Sequence, residues 1–178
     1  DMADLDDYDV IVFEDGAIPA VGRNRDGSQD SDPDPSTIPE EYRRRMGQIT
    51  ADITMPRILD FVREGGAAIA IGSSVNLAYH AGLPVEDHLV LNGQPLARED
   101  YFTPGSVLDM RIDHVSPLTH GFGERANVLF SHSPTFSLQT SAESQGVSRI
   151  GWFDMATPLK SGWAWGERYL QNGVGAIE

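Results

Sequence analysis

Cysteine is absent from the 178-residue sequence, which excludes disulfides, thiolate metal sites and a cysteine nucleophile within the chain. Long apolar runs are absent too, so we expect no membrane span. No basic and apolar leader opens the sequence, and we predict no targeting segment. Basic residues are few: 13 Lys and Arg stand against 27 Asp and Glu, a formal net charge of −14. This balance argues against a nucleic-acid partner, because phosphates need cationic neutralisation.

Metal-binding spacings are also missing, since no H-x-x-E or H-E-x-x-H pattern occurs. Four acidic residues fall at positions one, three, five and twelve of a calcium loop: Asp30, Asp32, Asp34 and Glu41. The sixth position of such a loop needs glycine, but here it is Pro35. We therefore predict no metal and no cofactor in this chain, and we interpret residues 22–39 as an acidic surface loop rich in turn formers.

The first half of the chain has a strand–helix–strand–helix order. Residues 9–13 ("DVIVF") form a short β-branched run that is typical of a buried strand. Residues 54–66 have apolar positions at helical spacing, with a proline early and glycines at the end. Residues 67–71 ("AAIAI") predict a second strand, and residues 74–81 predict a short helix. This order predicts a parallel sheet with helices on its faces.

The second half has a different pattern. Residues 107–113 alternate between apolar and charged side chains, which favours a strand with one wet face. The stretches "ANVLFSH" and "SRIGWFD" are further strand candidates. A chain of 178 residues with 40% hydrophobic residues suffices for one domain with a full core. The acidic opening "DMADLDDYD" and the final "GVGAIE" predict that residues 1–178 are a single domain cut from a longer chain.

Two serines lie where the predicted strand at residues 67–71 meets the next helix. The run from Gly72 to Asn76 follows the G-x-nucleophile-x-G pattern of a nucleophile elbow, with Ser74 at the nucleophile position. A helix start there would offer N–H groups to an anion. The predicted ligand-binding residues are Gly72, Ser73, Ser74, Val75 and Asp15. The simpler interpretation, which we favour, is that one of the serines caps the helix.

A nucleophilic serine needs a base and a carboxylate. Of the five histidines, His132 is the best candidate for the base, because it directly follows a strand candidate and strand ends line ligand crevices in such sheets. Glu14, after the first strand, is the candidate carboxylate. Both have simpler interpretations, as a hydrogen-bonded structural histidine and a solvated loop acid. The three tryptophans are predicted to be buried in the core, and a sugar or peptide groove is the alternative.

Several segments, taken in order, resemble one protein family. They are "YDVIVFEDGAIP", "IPEEYRRRMG", "ILDFVREGGAAIAIGSSVNLA", "PGSVLDMRID", "FSHSPTF" and "SGWAWGERYL". Together they resemble the class I glutamine amidotransferase-like domain found C-terminal to the catalytic domain in some bacterial zinc carboxypeptidases of the carboxypeptidase A type. The resemblance implies an α/β fold, a flavodoxin-like three-layer sandwich with a mainly parallel sheet, truncated at both ends. It also implies a peptidase domain in the same chain as the partner, zinc held by that other domain, and an exported protein.

Amidotransferases of this class use a Cys–His–Glu triad, and the resemblance places its cysteine at Ser74. The glutamine that follows four residues later falls on Ala78, and the late H-P-E motif is matched only by "HSP" at residues 132–134. These departures imply a degenerate site, and we expect a non-catalytic accessory domain of a zinc metallocarboxypeptidase. Two alternatives stay open: a serine hydrolase that uses Ser74, His132 and Glu14, and a small-molecule or peptide-binding module. A homo-oligomer also stays open.

Overall fold

The computed structural model describes residues 5, 7–21, 37–43, 47 and 49–178. The chain forms two compact units, unit 1 from Asp1 to Ala81 and unit 2 from Gly82 to Glu178. Most of the predicted acidic loop, residues 22–36, lies outside the described residues, and so do Asp30, Asp32 and Asp34. Among the described residues, no helix is both long enough and apolar enough to cross a membrane.

Unit 1 contains a β–α–β arrangement. Strand β1 (Val10–Phe13) and strand β2 (Ala67–Ala70) pair in parallel, in register along their whole length. Between them lie a short helix α1 (Glu40–Arg43) and helix α2 (Thr54–Arg63). Parallel strands need a long crossover connection to return the chain to the same end of the sheet, and α2 forms part of it. This part of the fold confirms the predicted order of elements.

Helix α2 covers one face of the β1–β2 pair. Its residues Met55 and Ile58 pack with Phe13 and Ile18 in the core of unit 1. The helix ends where Gly65 takes a φ of 108°, a left-handed conformation that glycine adopts without strain. The opposite face of the strand pair carries aliphatic side chains that are each about half exposed: Val10, Val12, Ile69 and Ile71. The predicted fold requires helices on both faces of the pair, and in the described part of unit 1 a helix covers one face.

Strand β2 runs into the segment that holds the two serines. The predicted single helix over residues 74–81 is a 3₁₀ turn (Gly72–Asn76) followed by one turn of helix α3 (Leu77–His80). Gly72 has a φ of 60°, which confirms that the chain bends tightly here.

Unit 2 is built on an antiparallel sheet. Its strands are β3 (Val85–Asp87), β4 (Val90–Leu91), β5 (Gln94–Pro95), β6 (Ser106–Ile112), β7 (Arg125–Phe130), β8 (Phe136–Leu138), β9 (Arg149–Trp152), β10 (Leu159–Ser161) and β11 (Val174–Ile177). Seven of them form one sheet in the order β10-β6-β9-β11-β8-β3, with β7 also paired to β6. The two others, β4 and β5, form a hairpin whose turn residues Asn92 and Gly93 both have positive φ, the signature of a type I′ turn.

The predicted fold class is therefore wrong. Every strand pairing in the seven-stranded sheet is antiparallel, and β1–β2 is the only parallel pairing among the described residues. The physical reason lies in the connections. A parallel sheet needs a helical crossover between its strands, but the helical segments of unit 2 are 3₁₀ turns of three or four residues. The family resemblance implied a flavodoxin-like three-layer sandwich with a mainly parallel sheet for the whole chain, and the antiparallel sheet of unit 2 contradicts it.

The core of unit 2 forms on one face of β6. Leu108, Met110 and Ile112 are buried there with Phe130 and Phe153. The predicted alternation along residues 107–113 is confirmed for this apolar face. Burial of all three tryptophans was also predicted, but the structure leaves Trp163 and Trp165 about half exposed.

The other face of β6 carries an ionic cluster rather than a wet surface. Asp109 is buried and accepts bonds from Arg125 Nε at 2.7 Å and Lys160 Nζ at 2.8 Å. Arg125 also pairs with Asp154 at 2.9 Å. Burial raises the pKa of Asp109, but hydrogen bonds and charge from Lys160 and Arg125 together outweigh it, and the pKa lies below 3.8. The hydrogen bond from Arg125 likewise lowers the pKa of Asp154.

Candidate functional site

Ser74, the predicted nucleophile, lies fully buried in the 3₁₀ turn after β2. Its Oγ accepts a hydrogen bond from Ala17 N at 2.9 Å and another from Ile18 N at 3.1 Å. The same hydroxyl donates to the backbone carbonyl oxygen of Glu14. A serine hydroxyl has one proton to donate and two lone pairs to accept with, so these three bonds use its full capacity.

Ser73 has a different set of partners on the same loop. Its backbone N and its Oγ both donate to Asp15 Oδ1, each at 2.7 Å. Its Oγ also accepts from Gly16 N at 2.9 Å. The backbone hydrogen bond from Ser73 is the main reason why the pKa of Asp15 lies below its ordinary value of 3.8, and the hydroxyl bond adds to it.

The Asp15 carboxylate therefore occupies the predicted anion-binding site. The first N–H groups of the turn would attract an anion, and Ser73 N already donates to this side chain. Glycine at position 72 leaves room for the Asp15 side chain, because a Cβ there would lie only 2.7 Å from Asp15 Cγ. Val75, the remaining residue of the predicted ligand-binding set, is half-buried in the same turn.

The two serines also do not cap the helix. Neither the 3₁₀ turn nor α3 has a side-chain hydrogen bond at its N-cap, and their N-cap residues are Ile71 and Asn76. Both hydroxyls bond instead to the loop that follows β1, across a sequence separation of 57 residues in the bonds to Gly16 and Ala17. The serines thus tie the end of β2 to the end of β1.

The side chains of the other two candidate catalytic residues, Glu14 and His132, form no hydrogen bond with the Ser74 hydroxyl. Glu14 contributes its backbone carbonyl, while its side chain is exposed. His132 belongs to unit 2, follows β7, and packs edge-on against Phe102 with ring centroids 5.0 Å apart. All three hydrogen-bond partners of Ser74 Oγ are backbone atoms of unit 1. The structure thus brings Ser73, Ser74 and Asp15 together, with no imidazole bonded to either hydroxyl.

Sequence reasoning missed an open pocket in unit 2, with a volume of about 740 Å³. It lies between the segment from β8 to β9 and strands β9 and β11, and Arg149 and Trp152 line it. His88, which the sequence left as one of five histidines, also lines it and bonds to Ser137 Oγ at 2.8 Å. The only local sequence feature that could have indicated this pocket is Arg149, three residues before Trp152. The other lining residues are distant in sequence and come together through strand pairing.

Among the described residues, no three acidic or histidine side chains converge as metal ligands would. Comparisons with known protein families, with curated proteins and with solved structures find no match to this chain.

Proposed function

We propose that this chain is a non-catalytic accessory domain, in which the serines after β2 hold the fold together instead of attacking a substrate. The observation that carries the proposal is the buried Ser74 hydroxyl with all three of its bonds directed to backbone groups. A catalytic serine has to lose its proton to a base and direct a lone pair at a substrate carbon. Ser74 would have to break its bond to Glu14 and expose the loop amides to do either.

The partner in this proposal is a zinc carboxypeptidase domain of the same longer protein. Support comes from the segments that resemble the accessory domain of such enzymes. The exposed aliphatic face of β1 and β2 adds support, because parallel strands are normally covered on both faces. The full reading frame tests this part. We expect it to encode a carboxypeptidase-type zinc motif, and a reading frame without one contradicts it.

A fluorophosphonate probe tests the absence of catalysis. We expect intact-mass analysis after incubation with excess probe to show an unmodified chain, because a serine without an activating base reacts too slowly to be labelled. Peptide mapping locates any label, and Ser74→Ala serves as the matched control. Stoichiometric labelling at Ser74 that disappears in Ser74→Ala would overturn the proposal and favour the serine hydrolase.

A further inference from the structure

The pocket of unit 2 contains charges of both signs that form no ion pair with the described residues. Arg149 lines it and forms no ion pair with any described residue. Glu143 lines the same pocket and is likewise without an ion pair among the described residues. Asp113 is a second lining carboxylate, and its Oδ1 accepts a hydrogen bond from the backbone N of Val115 at 3.1 Å.

The guanidinium of Arg149 is held in place by stacking. Its central carbon lies 4.2 Å from the centroid of the Trp152 ring. Stacking of this kind orders the side chain without using its N–H donors, which stay available for a carboxylate. The stacked arginine also covers a face of the Trp152 ring, which argues against a sugar as the ligand, since sugars pack on bare aromatic faces.

The remaining lining combines apolar and neutral polar groups. Leu138, Val147 and Val174 supply apolar surface, and Gln139 and Asn172 supply amides. A volume of about 740 Å³ is within the range of small-molecule sites. Polyanions such as nucleotides fit poorly, because two of the three charged lining residues are acids and the chain carries a net charge of −14.

We propose that this pocket binds an amino acid or a short peptide with free termini, with the carboxylate at Arg149 and the ammonium group on the side of Glu143 and Asp113. The two unpaired charges of opposite sign match the two ends of a zwitterion, and the apolar lining matches a side chain. The proposal does not depend on the accessory role of the chain, which is carried by Ser74 in unit 1.

Titration calorimetry with alanyl-leucine and its blocked forms tests the proposal. We expect alanyl-leucine to bind with a Kd of about 1 mM or tighter. Amidation of its C-terminus, or acetylation of its N-terminus, is expected to weaken binding by about tenfold each, because each removes one charge. No detectable binding of alanyl-leucine at about 10 mM, or equal binding of the free and the doubly blocked peptide, overturns the proposal.

Variants identify the residues involved. Arg149→Met keeps an unbranched stem on Trp152 but removes the charge, and we expect it to weaken alanyl-leucine about tenfold without weakening alanyl-leucine amide further. Arg149→Lys keeps the charge, so we expect it to lose less affinity for alanyl-leucine than Arg149→Met does. Arg168→Met is the matched control, since Arg168 stacks on Tyr169 at 4.6 Å outside the pocket. Equal losses of alanyl-leucine affinity in Arg149→Met and Arg168→Met, with circular dichroism unchanged in both, contradict the assignment of Arg149 as the carboxylate-binding residue.

Discussion

The polar atoms at the end of β2 are satisfied by the chain itself. Ser74 bonds three backbone groups, and Ser73 bonds the carboxylate and the following amide of the same loop. The small residues of this segment predicted a tight turn, and the positive φ of Gly72 confirms it. The partners of the hydroxyls could not be predicted, because hydrogen bonds across 57 residues leave no spacing pattern in the sequence.

The lowered pKa of Asp15 makes a prediction about pH. The folded-state pKa lies below the ordinary value, so the charged carboxylate stabilises the fold above about pH 4, and this contribution disappears as the pH falls through the folded-state pKa. Asp15→Asn should therefore be less stable than the wild type at pH 7, with the difference shrinking towards pH 3. Urea unfolding at a series of pH values measures this. A difference that is independent of pH would contradict the assigned role.

At the scale of elements, local patterns predicted the strands and α2 of unit 1 but not the pairing in unit 2. The apolar periods over residues 9–13, 54–66 and 67–71 match β1, α2 and β2 closely. Strands β8 and β10 have only three residues each, too few to show a clear period. Their direction depends on distant partners, and this is why the parallel arrangement was wrongly extended to them.

The two faces of the β1–β2 pair should respond differently to substitution. Val12 is exposed, so Val12→Thr is expected to change the free energy of unfolding by less than about 0.5 kcal/mol. Ile58 is buried against Phe13, and Ile58→Ala should cost about 2–5 kcal/mol through lost burial and a cavity. Native-state hydrogen exchange of the β1 and β2 amides provides the measurement. Similar costs for the two variants would show that the faces are wrongly assigned.

The ionic cluster on β6 should contribute more to the free energy of unfolding than an exposed arginine does. Arg125→Met leaves the buried Asp109 with Lys160 alone, and we expect a loss of about 2–4 kcal/mol in unfolding free energy. Arg168→Met, whose arginine is exposed on Tyr169, should cost less than about 1 kcal/mol. All three tryptophans belong to unit 2, so their fluorescence in urea reports on it. A loss in Arg125→Met no larger than in the control contradicts a stabilising cluster.

For the whole molecule, composition and local pattern predicted less of the candidate site than of the fold. The absence of cysteine excluded a thiolate nucleophile in this chain. The prediction of a degenerate site depends on the resemblance to amidotransferases, whose motif is not matched at Ala78 or after Pro134. Whether Ser74 has a base nearby depends on which segments meet, and that information is three-dimensional. The pocket around Arg149 was missed for the same reason, since its lining spans residues from His88 to Val174.

Hydrogen exchange at the backbone amides of Ala17 and Ile18 tests most directly whether Ser74 is a structural residue. Both amides donate to its hydroxyl, so they should be protected in the wild type and should exchange about tenfold to a hundredfold faster in Ser74→Ala. Ser73→Ala, which removes the bond to Gly16 instead, should leave them protected. Equal protection of Ala17 and Ile18 in the wild type and in Ser74→Ala would contradict the account.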